Sequence, residues 1–247
     1  MLQDLHRIVF VCIIFLFAKV AGAQFSDSVH YYVNYTVSGI ANKTQASESH
    51  VFNNAVRANI NRKDLSLNSS FSWIYGKLNK VVSNDDYNIA IDFNYRKDSS
   101  RFDYWALANY DKSLSLQINR RLQYGAGASY NVIQTRRSRI NISNGILYEN
   151  NNLRLADNVF DIYDTWRNSL RVKYSFNIAN LIVLEGIHFL QNSFSLKTDY
   201  IIKSSSSLSV KIYRWVSLTT SFTYNKLNRL KRENSILTVG LGFEKYF

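Results

Sequence analysis

The stretch SILTVGLGFEKYF, residues 235–247, alternates with period two. Counting back from Phe247 gives Phe243, Leu241, Val239 and Leu237 on one face, and only Lys245 interrupts that apolar row. The other face carries Tyr246, Glu244, Gly242, Gly240, Thr238 and Ile236, mostly small or polar. Such a strand suits two settings, a soluble amphipathic sheet or the closing strand of a β-barrel in a lipid bilayer. The rest of the chain separates them.

The same alternation recurs along the sequence. VHYYVNYTV (29–37) places Val29, Tyr31, Val33, Tyr35 and Val37 together, and YNIAIDFNY (87–95) opposes Tyr87, Ile89, Ile91, Phe93 and Tyr95 to Asn88, Ala90, Asp92 and Asn94. Tyrosines at both ends of an apolar row are what two membrane interfaces ask of a spanning strand. Period-two reading predicts twelve strands, at 29–38, 50–60, 65–76, 86–96, 101–111, 121–134, 139–149, 167–177, 181–190, 196–212, 216–226 and 235–247. Ten and fourteen strands are the alternatives. LIVLEGIHF (181–189) alternates too poorly to assign its faces. Connections at 61–64, 97–100, 135–138, 178–180 and 213–215 read as short; those at 39–49, 77–85, 112–120, 150–166 and 227–234 read as mostly longer. Short periplasmic turns and longer outer loops, with both termini periplasmic, are the expectation.

Composition favours the membrane. The chain of 247 residues holds 17 Tyr, 15 Phe and 4 Trp but no Pro, as fully paired strands require. Residues 1–23 read as a cleaved secretion signal: Arg7 precedes the apolar run 8–18, too short to span as a helix, and Ala21-Gly22-Ala23 has the form of a cleavage site. Residues 24–247 then form a single domain without the only cysteine, Cys12, which excludes disulfides and thiolate chemistry. Past the signal, 28 basic and 17 acidic side chains leave a charge of +11, which suits a positive lumen or anionic headgroups. The fold expected is all-β, a transmembrane antiparallel barrel of the bacterial outer membrane. A soluble β-sandwich or lipocalin-like barrel is the alternative.

Several segments also resemble a known family. SG…NKTQ (38–45), INRRLQYGAGASYNV (118–132) and the ending FEKYF resemble the domain of unknown function 481, the salt-induced outer-membrane protein family, in its Bacteroidota members. The resemblance covers roughly 29–247 and implies an outer-membrane barrel with no assigned enzymatic activity, substrate or cofactor. The ending, with Phe247, Phe243, Leu241 and Val239, resembles the signal read by the barrel-assembly machinery. Outer-membrane lipid, periplasmic chaperones and that machinery are the partners expected; no nucleic acid is, and the oligomeric state stays open.

Catalytic chemistry finds little support. ISNG (142–145) resembles part of the H-x-S-N-G run of outer-membrane phospholipase A, but Asn141 stands where that family has its histidine, so Ser143 lacks a general base. Asp157, Asp161 and Asp164 lack the spacing of a calcium loop. No metal or cofactor site is expected. The remaining candidates are charges on inward faces: Arg57, Asp92, Asp103, Arg171 and Lys173. Converging in the lumen, they either bias a narrow passive channel toward small anions or pair with one another and fill a barrel of structural role.

Overall fold

The computed structural model describes residues 31–97, 100–156 and 159–246. The expected signal at 1–23 and the terminal Phe247 lie outside these residues, as does Asp157. Twelve antiparallel strands follow one another: β1 (Tyr31–Lys43), β2 (Glu48–Arg62), β3 (Leu65–Leu78), β4 (Val81–Tyr95), β5 (Phe102–Ser113), β6 (Ile118–Gln134), β7 (Ser138–Ala156), β8 (Val159–Ile178), β9 (Ile182–Ser193), β10 (Tyr200–Tyr213), β11 (Val216–Leu227) and β12 (Arg232–Tyr246). Each pairs with its neighbours in sequence, and β1 pairs with β12, closing the sheet into a barrel. The closing register sets Val33 opposite Lys245 and Val37 opposite Leu241. The start of β1 and the last residues of β12 share one end, here the terminal end; the β5–β6 and β11–β12 connections lie at the far end.

The barrel is inside-out, and this removes the soluble alternative. Among the described residues, those buried comprise twenty polar or charged side chains and seven apolar ones. The apolar rows instead point outward: Ile89, Ile91 and Phe93 on β4 and Leu237, Val239 and Leu241 on β12 are all exposed. A soluble protein would hide these rows; hydrocarbon accepts them. Aromatic rings gather at two levels on the outer wall. At the terminal end Phe102 lies 5.0 Å from Tyr130 and Trp215 lies 6.1 Å from Phe243. Toward the far end Tyr148 sits 5.2 Å from both Tyr124 and Trp166. Among the described residues no helix is long and apolar enough to cross a membrane.

A polar notch opens in the outer wall where β8–β10 meet. Tyr174 lies across Gly186, and a Cβ at Gly186 would strike its ring. The Tyr174 hydroxyl is 3.1 Å from Ser206 Oγ, and His188 Nδ1 is 2.7 Å from Ser204 Oγ. These lipid-facing polar groups are satisfied by one another, as hydrocarbon demands.

Strand number and facing agree with the sequence reading, but strand lengths do not. The connections expected at 39–49, 77–85 and 112–120 shrink to 44–47, 79–80 and 114–117, and 150–166 is almost all strand. Asn79 and Lys80 both adopt positive φ (48° and 69°), the conformation that closes a two-residue hairpin. The polar run after Glu149 zips into the β7–β8 hairpin because its side chains pair across it: Asn150 donates to Asp164 at 2.6 Å and Asn151 to the Tyr163 hydroxyl at 2.8 Å. The connections therefore do not separate short turns at one end from long loops at the other. β10 also starts at Tyr200, not 196, which leaves Phe194 and Leu196 in the preceding connection. The serine run 204–207 is continuous strand.

The facing makes a direct test. Leu208→Lys puts an amine into the hydrocarbon near the middle of β10 and should cost about 2–4 kcal/mol. Ser207→Gln, on the lumen side of the same strand, should stay within about 0.5 kcal/mol. Denaturant unfolding of the barrel in lipid vesicles reads both; equal penalties would mean the faces are assigned wrongly.

Candidate functional site: a half-filled lumen

Two glycines shape one side of the interior. Trp105 on β5 is 3% exposed and lies inside the lumen, its ring against the next two strands. A Cβ on Gly127 or Gly145 would fall 2.6 or 2.5 Å from Trp105 Cζ2, so both positions must lack a side chain. The Arg171 guanidinium lies 4.9 Å from the Trp105 ring centroid, within reach of the ring's negative face. Its Nη1 meets Asp92 Oδ2 at 2.5 Å across the lumen, and Lys173 approaches the same oxygen at 3.8 Å.

Toward the far end two larger networks follow. Asp111 receives Arg121 Nη2 at 2.8 Å and Lys203 Nζ at 2.7 Å, with Asn88 donating at 2.6 Å. Lys203 stands on β10 and Asp111 on β5, so this pair spans the lumen. Arg167 bridges Glu149 at 2.7 Å and Asp199 at 2.9 Å, all three almost wholly buried. Gln123 donates to Glu149 at 2.6 Å and to Gln191, across the lumen, at 2.9 Å. At the mouth Arg229 clasps Asp161 at 2.7 Å and lies 3.7 Å from the Tyr163 ring centroid. The hydrogen bond to Asp161 raises the Arg229 pKa and fixes its charge. Above these ions Leu116, Ile118, Leu153, Ile201 and Leu227 pack into an apolar cap.

The β5–β6 turn completes the cap by folding inward. Asp86 accepts from Ser113 Oγ (2.9 Å), Ser115 N (3.2 Å) and Ser115 Oγ (2.7 Å). Asn234, on β12, donates to Ser115 Oγ at 2.7 Å from the opposite wall. What remains of the lumen is a cavity of about 880 Å³, lined mainly by β1–β3 and β9–β12. It runs from Arg139, Lys211 and Glu244 near the terminal end to Ser113, Leu116 and Ile118 beneath the cap.

The charges singled out from sequence divide between these regions. Asp92, Arg171 and Lys173 form one cluster. Asp103 accepts from Asn131 at 2.8 Å and meets Arg96 at 3.7 Å. Arg57 crosses the cavity to Glu185 at 3.5 Å, half exposed. Sequence reading missed Asp111, Arg121, Glu149, Arg167, Asp199 and Lys203. Parity puts Asp111 inward with Asp103, a signal that was there to use; Asp199 lies in a connection, where parity is silent. Ser143 accepts from Arg171 Nε at 2.9 Å, while the two described imidazoles, His50 and His188, sit on the outer wall. Among the described residues no cluster of His, Cys, Asp and Glu is placed to hold a metal ion.

The profile of the family described as Protein of unknown function, DUF481, matches residues 38–244. The chain belongs to this family. Comparison with curated proteins gives no match. Among solved structures the DUF481 barrel is similar to the translocator domain of autotransporter NalP from Neisseria meningitidis, with TM-score 0.50, 10% identity, and 98% and 95% of the two chains covered. It is also similar to the NanC porin, with TM-score 0.47, 9% identity, and 87% and 99% coverage. At such identities the likeness is one of fold. The DUF481 chain is a membrane-spanning barrel of outer-membrane type, and among the described residues no catalytic constellation is found in the lumen it encloses.

The buried Arg167 bridge can be tested. Arg167→Met removes the buried cation that Glu149 and Asp199 share and should destabilise the folded barrel by about 3–5 kcal/mol. Adding Glu149→Gln should recover part of the loss. Unfolding midpoints in detergent measure both, and an unchanged midpoint for the single variant would show that the carboxylates find other partners.

Proposed function

We propose that this DUF481 chain is a capped envelope barrel of the bacterial outer membrane, with both termini in the periplasm. Its lumen is closed at the far end in the resting state. The observation that carries this reading is the inward β5–β6 turn, held by Asp86 on one wall and Asn234 on the other above the buried Arg167 bridge. In this reading residues 1–23 are the export signal, and periplasmic chaperones deliver the chain to the assembly machinery, which reads Phe247 with Phe243, Leu241 and Val239. The segments 38–45, 118–132 and 243–247 support a salt-induced, Bacteroidota-type member of the family.

A narrow passive channel for small anions is the second reading, and the cavity favours it. Its lining holds eight basic and four acidic side chains, enough to attract anions in a confined space. Passage then requires the turn to leave the lumen, which exposes Leu116 and breaks the bonds to Ser115.

Planar-bilayer recording separates these readings. The wild-type barrel should show no steady conductance. Asp86→Ala combined with Asn234→Ala removes both tethers and should produce discrete, frequent openings. Steady wild-type conductance would overturn the capped reading, and a silent double variant would show that the turn is not the closure.

A further inference from the structure

β9 is the anomaly of the lumen. Away from the cap, Val183, Ile187 and Phe189 face the cavity from one strand and make an apolar rail broken only by Glu185. Beside the rail, β10 and β11 carry a ladder of hydroxyls. Their register sets Ser205 opposite Thr223, Ser207 opposite Ser221 and Ser209 opposite Thr219. All six line the cavity, and Ser209 Oγ lies 2.9 Å from Thr219 Oγ1. Arg57 reaches from the facing wall to Glu185 on the rail at 3.5 Å and keeps half of its surface exposed to the cavity. Filling and capping the barrel require none of this: the apolar rail packs no cap, and the hydroxyls hold no ion pair.

We infer that this cavity is a binding site for an acidic oligosaccharide, an inference that rests on the capped, cationic vestibule described above. A sugar ring offers an apolar C–H face and an edge of hydroxyls, the two chemistries that rail and ladder present side by side. Rungs repeat every second residue, about 6.7 Å along each strand, so the wall repeats as an oligomer does. The excess of basic groups selects acidic units over neutral ones, with Arg57 supplying charge-assisted hydrogen bonds to a carboxylate. The volume of about 880 Å³ suits a ligand of a few sugar rings.

Calorimetric titration of the folded, detergent-solubilised barrel tests this with three probes: a hexamer of glucuronic acid, a hexamer of glucose and inorganic sulfate. The acidic hexamer should bind about ten-fold more tightly than either control, the worth of one charge-assisted contact. Arg57→Gln should erase the advantage over the glucose hexamer, and Phe189→Ala should weaken both hexamers without altering the response to sulfate. Heat-modifiable gel migration confirms that each variant is folded. The inference is overturned if the two hexamers bind alike, if sulfate matches the acidic hexamer, or if none binds. The capped reading fails instead on steady conductance in the bilayer, so the two failures are separately visible.

Discussion

Everything in this barrel depends on the pairing of β1 with β12. Hydrocarbon offers no partner to a backbone N–H or C=O, so a sheet can cross it only when its two edges satisfy each other. The register from Tyr32 opposite Tyr246 to Gly39 opposite Val239 does this. Once the edges are joined, the outer face must be apolar and the inner face becomes the only place for polar side chains. The amphipathic strands, the aromatic levels and the missing prolines follow from that closure.

Closure of twelve strands also creates a problem of volume. Eight strands leave an interior that side chains just fill, and diameter grows with strand number. Here β5–β8 meet the surplus with Trp105, which lies over two glycines, and with Arg121, Arg167 and Arg171, long enough to reach carboxylates on other strands. These ions hold one another in a dry place and add little net stability, because desolvation offsets attraction. β10–β12 carry shorter serines, threonines and glycines instead, and space remains beside them. The interior is therefore divided by side-chain length into a solid half and a hollow half.

Much of this was legible in the sequence because a strand in a membrane wall obeys one period. The facing of Ile89, Ile91 and Phe93, the strand number and the closing role of 235–247 all come from alternation. Where the signal is weaker the reading failed. Glu149-Asn150-Asn151-Asn152 has the composition of a loop, yet amides that bond across a hairpin make strand. β9 was ambiguous because Val183, Ile187 and Phe189 are apolar on the lumen side, while Gly186 and His188 interrupt the lipid side. Lys203 and Asp111 are 92 positions apart, as Arg171 and Asp92 are 79 apart. No local pattern announces partners that meet only across a lumen.

That last property bears on how the barrel comes into being. Lys203 reaches Asp111 from a strand five places around the sheet, and Gln191 reaches Gln123 from three places around. A flat or half-curled sheet brings neither pair together. While the sheet is open, its guanidinium and carboxylate groups must stay wet; when β1 meets β12, the same movement dries them and brings them into contact. Sealing the wall and furnishing the interior are thus one event, and the network works as a latch that has nothing to grip until the door is shut.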